Sequence, residues 1–469
     1  MELILLLPVK KRAQQILRVS RKAISVMKSP EISDHWKEKA LPRYSRELIV
    51  SSLLSTFYLV ILFLGFVGTY GIFGLLFIGD PNEILGTLSL LEMQLVTVIW
   101  GMLYAFLRNR VTKSKDKTNI NYTFSSKLLH RVVLNHAIIK EMAFDIDCMI
   151  TKIQPAQPKV ASPVYIAGLA RAGTTILLEA LYSTGAFTTL TYRDMPFVTA
   201  PYLWSKIAKL SKITDESKME RAHGDNIYVN YDSPEAFEEV FWLTFSKPSY
   251  VKDDHLEMQD VDKEVVQMYR NYIRNIIARD GNRESLRYLS KNNNNLLRIG
   301  AIKSAFADSI IIVPFRNPIN HAKSLLNQHE QFIKTHSEDS FSLQYMNWLG
   351  HFEFGANLKP LKVQQDLTPV NKDEPFTLDY WLRYWKGVYE YLLDYHSASV
   401  IFFDYDKFCE KPEQCLASLE SELSLLPVGS LRRFSSNIYP SKRYTAASET
   451  LFLPLQIKDV HQRLQNICI

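Results

Sequence analysis

The sequence predicts an α/β fold: a P-loop-like, three-layer arrangement with a central parallel sheet, preceded by an N-terminal transmembrane helical hairpin. Three observations predict it. From about residue 160 onward, short apolar runs alternate with helical stretches, the pattern of a parallel sheet covered on both faces. Pro163 to Gly168 reads as a buried strand that passes through a Gly-bearing loop into a helix opening near Thr174. Upstream, Leu48 to Gly79 contains thirty-two residues without a charge, enough to span a bilayer.

Taken in order, residues 1–47 carry eleven Lys/Arg against five acids. Ile16, Ala23, Ile24 and Met27 share one helical face there, with most of the basic residues elsewhere. That is a basic amphipathic segment suited to an anionic membrane surface, or a solvated helix preceding a span. A cleaved signal peptide fits badly, because MELILLLP lacks a basic leading region. Residues 48–107 form the hairpin. A second apolar run, Ile84 to Leu107, is broken only by Glu92, and the acidic turn Asp80-Pro81-Asn82-Glu83 separates the two. Basic outer flanks place both ends in the cytoplasm by the positive-inside rule. This predicts a two-span membrane protein with a cytoplasmic catalytic domain. Residues 108–159 read as a helical connector, with Leu128, Val132, Val133, Ile138, Ile139 and Met142 at helical spacing. Residues 160–469 form the catalytic domain.

Composition narrows the partners. A net charge of +6 on 469 residues is modest, and its basic clusters flank the apolar runs. Membrane fits that distribution better than nucleic acid. The four cysteines (Cys148, Cys409, Cys415 and Cys468) form no CxxC pair, and no Cys/His spacing predicts a metal site.

The loop carries the chemistry. Strand, Gly-bearing loop and helix together hold phosphate on backbone N–H groups and the helix dipole. Gly168 and Gly173 stand five apart, as in a Walker A loop, but Thr174 occupies the place of the Walker lysine. The basic residue comes earlier, at Arg171. Such a loop suits phosphate binding better than ATP hydrolysis. A second run, Ile310 to Phe315, is apolar and β-branched, ends at Arg316, and has Ser324 eight residues on.

Arg171-Ala172-Gly173-Thr174-Thr175, after a strand and before a helix, resembles the 5′-phosphosulfate loop of the sulfotransferases that use 3′-phosphoadenosine 5′-phosphosulfate (PAPS). The strand ending in Arg316, with Ser324 beyond it, resembles that family's 3′-phosphate motif. The resemblance covers roughly Pro163 to Thr445. It implies a membrane-anchored sulfotransferase moving a sulfuryl group from PAPS to a hydroxyl acceptor (a lipid, glycan or small molecule), with no metal required. It also implies roles. Arg171, Ala172, Gly173, Thr174 and Thr175 would hold the 5′ side, and Arg316 and Ser324 the 3′-phosphate. Lys442 and Arg443 would lie in a closing loop, and Lys291 would stabilise the leaving oxygen. Asp194 would take the acceptor proton, with His223, Glu235, Glu238, Glu239 and His255 as rivals. The carboxylates of DSPEAFEEVFW read as mostly solvated, and the Asp404–Cys415 turn and helix as structural. A P-loop small-molecule kinase and a non-catalytic membrane scaffold are the alternatives; the first would need a lysine after Gly173.

Overall fold

A computed structural model describes residues 124–154, 158–210, 219–220, 228–229, 233–281, 286–363, 371, 373–438 and 453–469, with scattered helical positions between 16 and 58. The chain divides into two compact units, Met1–Lys115 and Asp116–Ile469.

In the second unit the core is a five-stranded sheet. Its strands are β1 (Ala161–Ile166), β2 (Phe187–Thr188), β3 (Arg287–Lys291), β4 (Ile310–Phe315) and β5 (Ile401–Asp404). They lie in the order β2-β3-β1-β4-β5 and every pairing is parallel. Parallel strands need crossover helices, so the sheet is covered on both sides and most of its strand residues are buried. Side chains alternate between two cores. Val164 and Ile166 of β1 and Ile312 of β4 pack with Leu177, Leu178 and Leu181 of helix α1 (Thr174–Ser183) on one face. Tyr165 of β1 and Ile311, Val313 and Phe315 of β4 turn to the other face. There they meet α2 (Lys263–Arg279), α3 (Pro318–Glu338) and α4 (Leu378–His396). Three layers result, as predicted. The stretch from Leu378 is core, with Trp381, Trp385, Val388, Tyr389 and Leu392 all buried.

The membrane prediction is overturned. Among the described residues no helix is long and apolar enough to cross a membrane. The apolar runs that suggested a two-span hairpin lie almost entirely outside the described residues, which reach only Tyr58 of the first. Apolar run length, an acidic turn and basic flanks supplied the prediction, and none of them fixes a helix of spanning length.

Candidate active site

The site forms where the strands end. Register sets Ile166 of β1 opposite Lys291 of β3, and Ile166 opposite Ile312 of β4. The loop after β1, Lys291 and Arg316 therefore emerge side by side at the carboxyl edge, the usual position of ligand crevices in open α/β sheets. Two consecutive features shape the loop. Arg171 is in the left-handed region at φ 69°, and Gly173, capping α1, sits at φ 89°. A side chain at Gly173 would also collide with the Tyr405 ring. Left-handed turns of this kind gather N–H groups into anion-binding concavities.

Hydrogen bonds tie the loop to α3. Arg171 Nε donates to Ser324 Oγ at 3.3 Å. Arg316 Nη1 donates to the Arg171 carbonyl at 3.1 Å, and its guanidinium lies 4.9 Å from the centre of the Tyr405 ring. His321, fully buried, bonds the Ala170 carbonyl through Nε2 at 2.8 Å. Burial, reinforced by the charge of Arg316 and Arg171, lowers its pKa to about 3. A neutral imidazole thus braces the loop without adding charge. The Ala172 amide is used inside the turn, bonded to the Leu169 carbonyl at 3.3 Å.

A cavity of about 280 Å³ opens here, and Arg171, Gly173, Thr174, Thr175, Lys291 and Arg316 all line it. Ser324 stands just behind, buried and bonded to Arg171. The remaining wall comes from Glu235, Asn293, His351 and Glu353, and from the α3 face with Phe332 and His336. Asn293 Nδ2 donates to Glu353 Oε1 at 2.7 Å, and His351 Nδ1 lies 3.7 Å from Glu353 Oε2. Burial alone would raise the Glu353 pKa. His351, Lys291 and Asn293 outweigh it and pull the value down to about 2. Glu235 accepts from the Ala236 amide at 2.9 Å and from the Tyr192 hydroxyl at 2.8 Å.

Residues 163–380 match the model of the sulfotransferase family. That segment is similar to sulfotransferases, and the similarity marks the chain as a transferase enzyme. Two solved structures resemble it, both sulfotransferases. That from Mycobacterium avium is 14% identical, with a TM-score of 0.41, over 79% of this chain and 89% of that one. That from Mycobacterium tuberculosis H37Rv is 13% identical, with a TM-score of 0.40, over 78% of this chain and 91% of that one. No curated protein sequence matches.

Asp194 does not stand in this cavity, which corrects its reading as the base. It is buried, accepts from the Thr191 amide at 2.7 Å, and pairs with Arg279 at 2.5 Å. The carboxylate closes a turn and neutralises an arginine. Glu235, Glu238 and Glu239 are likewise buried rather than solvated. Glu238 accepts from Trp242 and Tyr288, and Glu239 pairs with Arg298 at 2.7 Å. His255 lies elsewhere, paired with Asp254 and Glu257. His223, Lys442 and Arg443 fall outside the described residues.

Sequence reasoning missed Tyr405, His336, His351 and Glu353 as cavity residues. Tyr405 had a signal: it follows β5 directly, at the same carboxyl edge as Arg316. The other three come from the end of α3 and the loop after the Ser340–Leu349 helix. No local pattern marks them. Among the described residues, no group of three or more His, Cys, Asp or Glu is arranged to hold a metal ion.

Proposed function

We propose that the domain transfers the sulfuryl group of PAPS to a hydroxyl acceptor. One observation carries the reading: three cations from the ends of three neighbouring strands, Arg171, Lys291 and Arg316, line one cavity beside a left-handed phosphate loop. The donor is anionic at both its 3′-phosphate and its 5′-phosphosulfate, and the residues present suit both ends. Arg171, the Thr174 and Thr175 hydroxyls and the start of α1 would hold the 5′ side. Arg316 and Ser324 would take the 3′-phosphate. The Ala172 amide is excluded from that set because it already bonds Leu169.

Sulfuryl transfer, like phosphoryl transfer, passes through a loose in-line transition state, and the protein contributes mainly position and positive charge. The acceptor oxygen forms its bond to sulfur as the bond from sulfur to the 5′-phosphate oxygen breaks. Lys291 would stabilise the charge left on that oxygen. The acceptor proton needs a base, and two carboxylates line the cavity. Glu353, with its pKa near 2, is too weak a base for the task. Glu235 is our assignment, as the other carboxylate of the cavity wall.

Transfer of labelled sulfuryl from PAPS to simple hydroxyl acceptors tests this. Glu235→Gln and Lys291→Ala should each lower turnover about 100-fold or more, the range for one acid–base or charge-stabilising group. Binding of 3′,5′-adenosine bisphosphate should survive Glu235→Gln. Turnover with Mg-ATP in place of PAPS would overturn the reading.

A further inference from the structure

Helix α3 runs from the phosphate end of the cavity along its wall. Ser324, Gln328, Phe332 and His336 stand four residues apart on it, a spacing that keeps them on neighbouring turns of one side. At 1.5 Å rise per residue, His336 lies ~18 Å along the axis from Ser324. Gln328, Phe332 and His336 all line the cavity. The first of the four belongs to the donor site; the last is too far along to reach the same phosphate.

The chemistry of His336 is fixed by its neighbours. Its Nδ1 accepts the Ala356 amide at 3.2 Å. An amide can only donate, so the lone pair sits on Nδ1 and the neutral ring carries its proton on Nε2. Burial lowers its pKa, which keeps the ring neutral near pH 7. The side chain is 7% exposed, and Nε2 is buried without a hydrogen-bond partner. A buried donor left unpaired costs ~1–3 kcal/mol, and such groups call for an explanation. Around it the wall is apolar. The Phe332 and Phe354 rings stack with centroids 6.1 Å apart, Phe332 meets the His336 ring edge-on, and Met346 completes the surface.

We infer that His336 is a recognition point for the acceptor. Its Nε2–H, closed off from solvent in this structure, donates to an oxygen of a neutral hydroxyl compound once a small movement of the surrounding side chains admits it, with the compound's flat apolar body resting on Phe332, Met346 and Phe354. That oxygen is a carbonyl, ether or second hydroxyl, distinct from the one that is sulfated. The charge pattern sets the class. The cations of the cavity are Arg171, Arg316 and Lys291, all committed to the donor. Toward the acceptor stand Glu235 and Glu353, which repel an anionic saccharide or acid. This inference rests on the sulfotransferase reading and deepens it.

A matched pair of phenols tests it, with labelled PAPS as donor and bisphosphate binding measured in parallel. 4-Hydroxyacetophenone carries the oxygen; 4-ethylphenol has nearly the same shape without it. The wild type should favour the ketone about 10-fold or more in kcat/KM, as a buried donor left unpaired implies. His336→Phe keeps an aromatic ring against Phe332 and should erase the preference, with bisphosphate affinity unchanged. His336→Gln restores an N–H donor and should recover part of it. A wild type without preference overturns the inference. So does a preference that survives His336→Phe, or failure to use either phenol while the bisphosphate binds. Loss of bisphosphate binding by the wild type would instead take down the donor reading, and this inference with it.

Discussion

Arg171 and Ser324 stand 153 positions apart in the chain, and Arg171 Nε donates to Ser324 Oγ at 3.3 Å. One belongs to the loop after β1 and the other to the second turn of α3, so this bond joins the two motifs proposed to hold the donor's anionic ends. Charged and hydroxyl donors to a phosphate are worth about 1.5–3 and 0.5–1.5 kcal/mol respectively. Arg171→Ala should weaken 3′,5′-adenosine bisphosphate binding about 10- to 100-fold, and Ser324→Ala about 10-fold or less. Because the two share a bond, the double variant should lose less than the sum in free energy. Calorimetric titration of the four proteins checks this.

Gly173 is required twice over, by its φ of 89° and by the Tyr405 ring packed where a Cβ would go. Gly173→Ala should destabilise the fold by about 2 kcal/mol or more, since the left-handed region alone costs an L-residue roughly 1–2 kcal/mol. Adding Tyr405→Ala should recover the steric part and leave the backbone part. Thermal unfolding of the single and double variants measures both.

Asp194→Asn should act on stability. Removing one partner of a buried ion pair costs up to about 3 kcal/mol where the remaining charge is left uncompensated; here Arg279 keeps Asp280 at 2.8 Å, so the loss should be smaller, about 1–2 kcal/mol. Denaturant unfolding should show the loss. Turnover per folded molecule should stay within about 3-fold of wild type, far above the effect of removing a general base.

Asp147 makes stability fall with rising pH. Burial raises its pKa to about 7 from an ordinary 3.8, although amide hydrogen bonds, including one from Leu203, oppose the shift. A carboxyl whose folded pKa is raised binds its proton better in the native state. Its contribution is therefore full below about pH 4, declines as pH rises, and is gone above about pH 7. Asp147→Asn cannot ionise, so relative to wild type it should gain stability across that window and hold the gain at pH 8. Unfolding midpoints from pH 4 to 8 give the comparison.

The sheet and the two loops that line the cavity were legible because each is local. β-branched runs, a glycine at a required turn and a strand-ending arginine all declare themselves within about ten residues. Asp194 misled for the same reason: its distance beyond Thr175 suits a base, but Arg279, 85 positions later, claims it. The glutamates after Ser233 looked amphipathic and solvated; partners as distant as Tyr288 and Arg298 bury them. His336 shows the limit most plainly. It reaches the cavity only because α3 continues about five turns past Arg316, and its tautomer is set by an amide twenty residues on. The membrane hairpin was read from apolar length, an acidic turn and basic flanks, none of which fixes a helix of spanning length.

The central claim is that Arg316 and the left-handed loop form a bisphosphate site. Calorimetric titration with 3′,5′-adenosine bisphosphate and, separately, Mg-ATP, on wild type and Arg316→Ala, tests it most directly. The account predicts binding of the bisphosphate at least about 10-fold tighter than Mg-ATP, and loss of about 10-fold or more on removing the Arg316 guanidinium. Preference for Mg-ATP, unaffected by Arg316→Ala, would contradict it.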